Sequence, residues 1–330
     1  MIQVETVLGP VDVADLDATL MHEHVFVLST EILQNYGGAW WDEEHRVADA
    51  IAKLRTLRDK GVRTIVDPTV IGLGRYVPRI QRINEQVDIN IVVATGIYTF
   101  DEIPFYFHYR GPGTILGGDE VMTQMFVDDI RDGIGETGVK AAFLKCCVEE
   151  RGLTAGVERV ARAVAQAHVE TGVPITVHTN AHAQSGRLAV QVFEEEGVDM
   201  TKVVVGHSGD TNDLDYLREL MGSGATIGMD RFGLDLFNPT ADRVATIAAL
   251  CGEGYVDRMV LSHDAACFMD FFSGDAHQRA LAAAVPNWHY NHIPDDVLPA
   301  LRGAGVTDEQ IHTMLVENPR RYFSPGEGEL

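Results

Sequence analysis

Eight short runs rich in β-branched and other apolar residues recur along the chain, separated by stretches of helical periodicity. The runs fall near residues 18–25, 63–69, 89–98, 141–148, 174–180, 203–209, 226–230 and 258–264. Between them, 42–61 (DEEHRVADAIAKLRTLRDKG) places apolar residues at helical spacing, carries Lys and Arg late and stops at Gly61. Residues 154–172 open on a Thr cap and close on Gly172, and 308–323 read as a closing helix. Strands alternating with helices predict a parallel sheet with right-handed crossovers, and eight such units predict closure into an α/β (β/α)8 TIM barrel. An open doubly wound sheet is the alternative, weakened because no G-x-G-x-x-G follows the first run. No Ser/Gly-rich or Pro-rich linker divides the 330 residues, so one domain over 1–330 is expected. The longest irregular stretch is about 265–305, directly after the eighth run. A loop of that length at the mouth of a barrel is expected to serve function.

Charge narrows the partners. Lys and Arg number 26 against 49 Asp and Glu, a net charge of −23. Such a surface repels phosphate backbones and anionic lipid, so nucleic acid and membrane are excluded and a neutral or locally chelated small molecule is expected. The four cysteines, Cys146, Cys147, Cys251 and Cys267, contain no C-x-x-C pair, which favours a reducing compartment. The N-terminus has no basic stretch followed by an apolar one, and no run of about 18 apolar residues occurs, so a cytoplasmic protein is expected.

The metal-capable side chains fall at the ends of the runs. His22 and His24 share one face of a strand in LMHEHV, with Glu23 on the other. Lys145 ends AAFLK, His178 lies in ITVHTN, His207 in VVVGHSGD and Asp264 in LSHDAAC. In a barrel those carboxyl ends converge on one mouth, so four imidazoles and a carboxylate form a nitrogen/oxygen metal site. A lone strand-end His is more often a satisfied polar residue; it is the set that argues for a metal. His45, His168 and His312 are expected on helices facing solvent, His182 lies off the pattern, and His263 should point away from the lumen. For Lys145 the residues leave three options open. A buried, neutral amine could take up carbon dioxide and bridge two cations as a carbamate; it could pair with Asp264; or it could form Schiff bases.

Taken together, TLMHEHV, TIVDPTVIGLGRYV, NIVVATGIY, FLKC, VHT, GHSGDTNDLDYL, GMDRFGLD, MVLSHDAAC, PNWHYNHI and VTDEQIHTMLVENPRRYF, from about residue 18 to 323, resemble the phosphotriesterase-like lactonases of the amidohydrolase superfamily. The resemblance implies a (β/α)8 barrel with a binuclear centre. His22, His24 and Asp264 would hold one metal, His178 and His207 the second, and carbamylated Lys145 (N6-carboxylysine) with a water or hydroxide would bridge them. Two divalent ions are implied, Zn first, with Co, Mn or Fe as alternatives. It further implies a homodimer; Trp40, Trp41 and Phe105 are candidates for interface or core. Tyr98 in GIY and Arg231 in DRFGLD resemble the lactonase branch, where the Tyr approaches the metals and the Arg shapes the lactone pocket. Their plain alternatives are a strand-end packing aromatic and a salt bridge to Asp230 or Asp235. Asn180 stands where relatives carry His and is expected behind the ligands.

The function so implied is metal-dependent lactone hydrolysis, foremost of N-acyl homoserine lactones (quorum quenching), with promiscuous hydrolysis of organophosphate triesters. Asp264 would take a proton and pass it to the leaving alkoxide, and Tyr98 would donate to the developing oxyanion. Ile71, Phe268 and Phe271 are candidates to line the acyl tail, while Trp288 reads rather as loop core. The alternatives are a primary phosphotriesterase (aryldialkylphosphatase), another lactone or amide hydrolase of the superfamily, and a non-catalytic binding barrel.

Overall fold

In the computed structural model, which describes residues 2–325 (Asp275 in its backbone alone), the eight runs become eight parallel strands in sequential order. They are β1 (Thr19–Leu20), β2 (Thr64–Asp67), β3 (Asn90–Gly96), β4 (Phe143–Val148), β5 (Ile175–Thr179), β6 (Val203–Gly206), β7 (Thr226–Met229) and β8 (Met259–Leu261). The ring closes where Met21 N donates to Leu261 O (3.2 Å). Closure continues toward the mouth: His24–Val27 pairs in parallel with Ala266–Met269. The first predicted strand, 18–25, is therefore interrupted at 21–23. Ser262 Oγ sits in the gap, accepting from His22 N and donating to His22 O, both at 2.8 Å.

Side chains alternate across the sheet, as period-two geometry requires. Met21, Val66, Val92, Phe143, Val204 and Val260 pack one cluster, which Tyr322 and Phe323 of the last helix join. Their neighbours Ile65, Ile91, Leu144, Val177, Val205 and Ile227 pack outward under the helices. The predicted helices form over Glu43–Asp59, where Asp42 accepts from His45 N, and over Ala155–Thr171, where Thr154 accepts from Val157 N and Gly172 closes in the left-handed conformation (φ 74°). The closing helix begins with a Thr307–Gln310 capping box and runs to Phe323 with a π-type middle turn.

Two further expectations change. The stretch 265–305 is not irregular: it contains the strand Ala266–Met269, a helix over Asp275–Ala284 and helical turns over 293–303. Its Ala-rich segment favours helix, and the open sheet edge beside His24–Val27 captures the strand. His168 does not face solvent: it is buried, with Nδ1 2.7 Å from Val173 O and Nε2 accepting from Asp199 N. Trp40 and Trp41 pack on Phe268 as core, whereas Phe105 is 71% exposed. His45 and His312 lie exposed on their helices, and all four cysteines are buried and free. Among the described residues no helix is long and apolar enough to cross a membrane.

Candidate metal centre at the barrel mouth

β4, β5 and β6 deliver Lys145, His178 and His207 to the lumen, and the loop after β8 delivers Asp264. Small residues leave the room: a Cβ on Gly206 would stand 3.5 Å from the His22 ring and one on Gly228 2.8 Å from Asp230 Oδ2. His207, Arg231 and Asp264, each just past a strand, hold left-handed φ of 62°, 61° and 54°. Such backbone is costly for residues with side chains and clusters where function demands it. It also ends β6, β7 and β8 earlier than the sequence patterns do.

The predicted residues converge. Asp264 Oδ1 lies 3.5 Å from His22 Nε2 and 3.3 Å from His24 Nε2, and these three can surround one ion. His178 Nδ1 faces His207 Nε2 at 2.7 Å. Lys145 Nζ lies 3.3 Å from His22 Nε2 and makes no ion pair with Asp264. Burial lowers the His22 pKa to about 3 and holds His178 well below the usual imidazole range. Burial also lowers His24, but hydrogen bonds and charge from Asp264 and Asp67 outweigh it and raise it to about 9. Burial, opposed by Asp264, brings Lys145 down to about 8. Buried imidazoles facing one another, with a carboxylate and an easily deprotonated amine, are a donor set suited to cations. His22 Nδ1 is buried without a hydrogen bond, 3.5 Å from Asp230 Oδ2, a polar atom free to serve the second donor group.

Behind the predicted donors stand residues the sequence patterns did not single out. Asp230 Oδ1 accepts from His207 Nδ1 (2.9 Å), and Asp230, His22 and His207 form a second donor group. Thr69 Oγ1 meets His24 Nδ1 at 2.7 Å and donates to Asp67 at 2.5 Å. Glu149 Oε1 meets His178 Nε2 at 3.2 Å, and Asn180 Nδ2 donates to Glu149 Oε2 at 2.9 Å, so Asn180 does act from behind a predicted ligand. Each carboxylate fixes which imidazole nitrogen faces inward. Asp67 and Asp230 sit at strand ends, a signal as legible as the histidines. His263 points away from the lumen as expected: Nδ1 meets the buried Glu23 at 2.6 Å, and Nε2 accepts from Ile293 N.

A cavity of about 550 Å³ opens above the cluster. His22, His24, Lys145, His178 and Asp264 line it together with Tyr98 and Arg231; Leu73, Leu234, Phe237, Met269, Leu281 and Trp288 are among its apolar wall. Burial pushes the Tyr98 phenol well above its ordinary value, so it stays protonated, 3.4 Å from His178 Nδ1. Arg231 pairs with neither Asp230 nor Asp235: Nε donates to Asp264 Oδ2 (3.0 Å) and Nη1 to Asp210 Oδ2 (2.9 Å). Phe271 lines the cavity, but Phe268 does not. Phe268 turns the other way, under the Arg46 guanidinium and against Trp40 and Trp41, because Met269 takes the inward face of the strand. Ile71 is held in a bridge to Ile97, and Leu73 takes the wall position instead. Trp288, expected as loop core, also borders the cavity, its Nε1 donating to His263 O.

Comparison with known proteins agrees with this geometry. A model of the phosphotriesterase family matches residues 2–323. The phosphotriesterase homology protein of Mycobacterium tuberculosis (strain ATCC 25618 / H37Rv) is 57% identical over 323 residues, 98% of each chain. The aryldialkylphosphatase of Saccharolobus solfataricus is 39% identical over 310 residues, 94% of this chain and 96% of that one. The solved structure of the phosphotriesterase from Mycobacterium tuberculosis superposes with a TM-score of 0.95 at 57% identity, covering 97% of this chain and 98% of that one.

Proposed function

The chain belongs to the phosphotriesterase family of metal-dependent hydrolases, and from that premise we propose that it opens lactone rings, foremost N-acyl homoserine lactones in quorum quenching, and hydrolyses organophosphate triesters as a side activity. The observation that carries this choice is the apolar cavity standing directly over the donor cluster. A neutral ester head can sit on the donors while an alkyl tail lies along Leu73, Met269, Leu281 and Trp288. The net charge of −23 disfavours anionic substrates over such neutral ones.

His22, His24 and Asp264 would hold one divalent cation and His178 and His207 a second, with Lys145, as its N6-carboxylate, a further donor between the two groups. Zn comes first, with Co, Mn or Fe compatible with the same donors. The chemistry such ions would supply is an acidified water, with its pKa drawn toward about 7, and a polarised carbonyl oxygen. Asp264 takes the proton of the attacking water and delivers it to the ring oxygen as the acyl C–O bond breaks, leaving a hydroxy acid. Tyr98, protonated, donates to the developing oxyanion. Arg231 holds Asp264 from the side and presents its guanidinium to the lactone head.

A primary phosphotriester hydrolase is the second choice, favoured by the similarity to an aryldialkylphosphatase. Comparing kcat/KM on an N-acyl homoserine lactone and on an aryl dialkyl phosphate decides between them; a preference for the phosphate overturns the lactonase assignment. We further propose a cytoplasmic homodimer, for which the exposed Phe105, Tyr106, Tyr109, Ile115 and Leu116 offer an apolar face.

A further inference from the structure

Arg243 is among the largest side chains with no exposure at all, and it lies outside the lumen, on the helix Thr240–Gly252 that follows β7. A fully buried guanidinium demands partners. Nη2 donates to Asp210 Oδ1 at 2.6 Å, Nη1 to the main-chain oxygen of Asp230 at 2.8 Å, and Nε to Asn238 O at 2.9 Å. Gly209 makes the space: a Cβ there would stand 2.8 Å from Nη1 and 3.0 Å from Asp230 O. The second oxygen of Asp210 receives Arg231 Nη1 at 2.9 Å, and Arg231 Nε donates to Asp264 at 3.0 Å.

A ladder of alternating charge, Arg243–Asp210–Arg231–Asp264, therefore runs from behind the sheet to the floor of the cavity. Its two arginines do not give up protons under ordinary conditions, so it transmits position and field rather than protons. Two of its rungs, Arg231 and Asp264, have left-handed backbone, which persists only where the surroundings over-determine it. Arg243 supplies that constraint twice. It grips the side chain that holds Arg231, and it grips the peptide oxygen of Asp230, the carboxylate behind His207.

We propose that Arg243 is a positioning residue for hydrolysis: touching no substrate, it fixes Asp210 and the Asp230 peptide, through them Arg231, and through Arg231 the direction of the Asp264 carboxylate. This rests on the part assigned to Asp264 under Proposed function, and the experiment separates the two.

Removing one member of a buried charged network can unfold a protein. The first variant is therefore Arg243→Lys, which keeps the charge and loses the fork. Its folded fraction by circular dichroism should match the parent, while kcat/KM on an N-acyl homoserine lactone or an aryl dialkyl phosphate falls about tenfold, with KM raised. In an Arg231→Ala background, where the ladder is already cut, the same change should cost less than twofold. Cobalt(II)-loaded Arg243→Lys should show a shifted visible spectrum, since Asp264 is re-aimed. If Arg243→Lys fails to fold, Asp210→Asn tests the same link from inside the ladder. Equal losses in the two backgrounds, or an unaltered KM and cobalt spectrum, would overturn the proposal. Were neither ester turned over by the parent, the functional assignment would fail while the cobalt spectrum still reported on the ladder.

Discussion

His178 Nδ1 and His207 Nε2 face each other 2.7 Å apart, and each ring is backed by a carboxylate on its far nitrogen, Glu149 for His178 and Asp230 for His207. With each far nitrogen turned to a carboxylate, the two facing nitrogens share one small volume at hydrogen-bond distance. A divalent cation held by both nitrogens would take the place of that contact. Weakening a backing carboxylate should loosen the cation by about 10–100-fold. Glu149→Gln should show this in titrations with zinc or cobalt, with the fold intact; unchanged affinity would mean that Glu149 serves only the loop.

The metal-free protein should have a stability maximum near pH 6.5. His24 is raised from 6.5 to about 9, chiefly by Asp264 and Asp67 overcoming burial, so its contribution is full below pH 6.5 and is lost as pH rises through 9. His22 is lowered to about 3 by burial, so the folded form binds fewer protons than the unfolded one between pH 3 and 6.5, and stability rises across that window. Lys145, lowered by burial to about 8, opposes the His24 loss only above pH 8. Thermal melts in a chelator should therefore give a Tm that climbs to about pH 6.5 and declines toward pH 8. In His24→Ala the decline should vanish.

Most of the donor set was legible because each donor ends an apolar run, and parallel barrel strands bring those ends together. His22, His24, Lys145, His178, His207 and Asp264 all reached one mouth for that reason. The partners of Arg231 were not legible: Asp210 is distant in sequence, and the left-handed turns after β6, β7 and β8 redirect the chain. Phe268 and Phe271 look alike in the sequence: the register of the strand Ala266–Met269 turns Phe268 from the cavity, and the helical turn Asp270–Phe272 brings Phe271 to its rim. The inversion of His168 has the same origin, a helical face that the short pattern placed on the wrong side.

Phe268 and Phe271 can now be told apart. Phe268→Ala should cost about 3–5 kcal/mol of stability, the range for truncating a buried aromatic, and leave the acyl-chain preference unchanged. Phe271→Ala, at a 62% exposed position on the cavity rim, should leave Tm nearly constant and shift the preferred tail length. Denaturant melts and kcat/KM across lactones of different tail length check both.

Tyr98→Phe removes one donor worth about 1–1.5 kcal/mol, so kcat should fall about tenfold with metal content retained. Asp264→Asn should cost about 10²–10⁴ in kcat, the span for a displaced general acid–base group. Equal, small losses in both would place proton transfer elsewhere.

Elemental analysis of the purified protein beside Lys145→Ala tests the central claim most directly. About two divalent ions per chain are predicted for the parent, regained after chelation when metal and bicarbonate are supplied together, with most of the metal lost in Lys145→Ala. Fewer than one ion per chain, with no rescue by added metal, or full metal in Lys145→Ala, would contradict it.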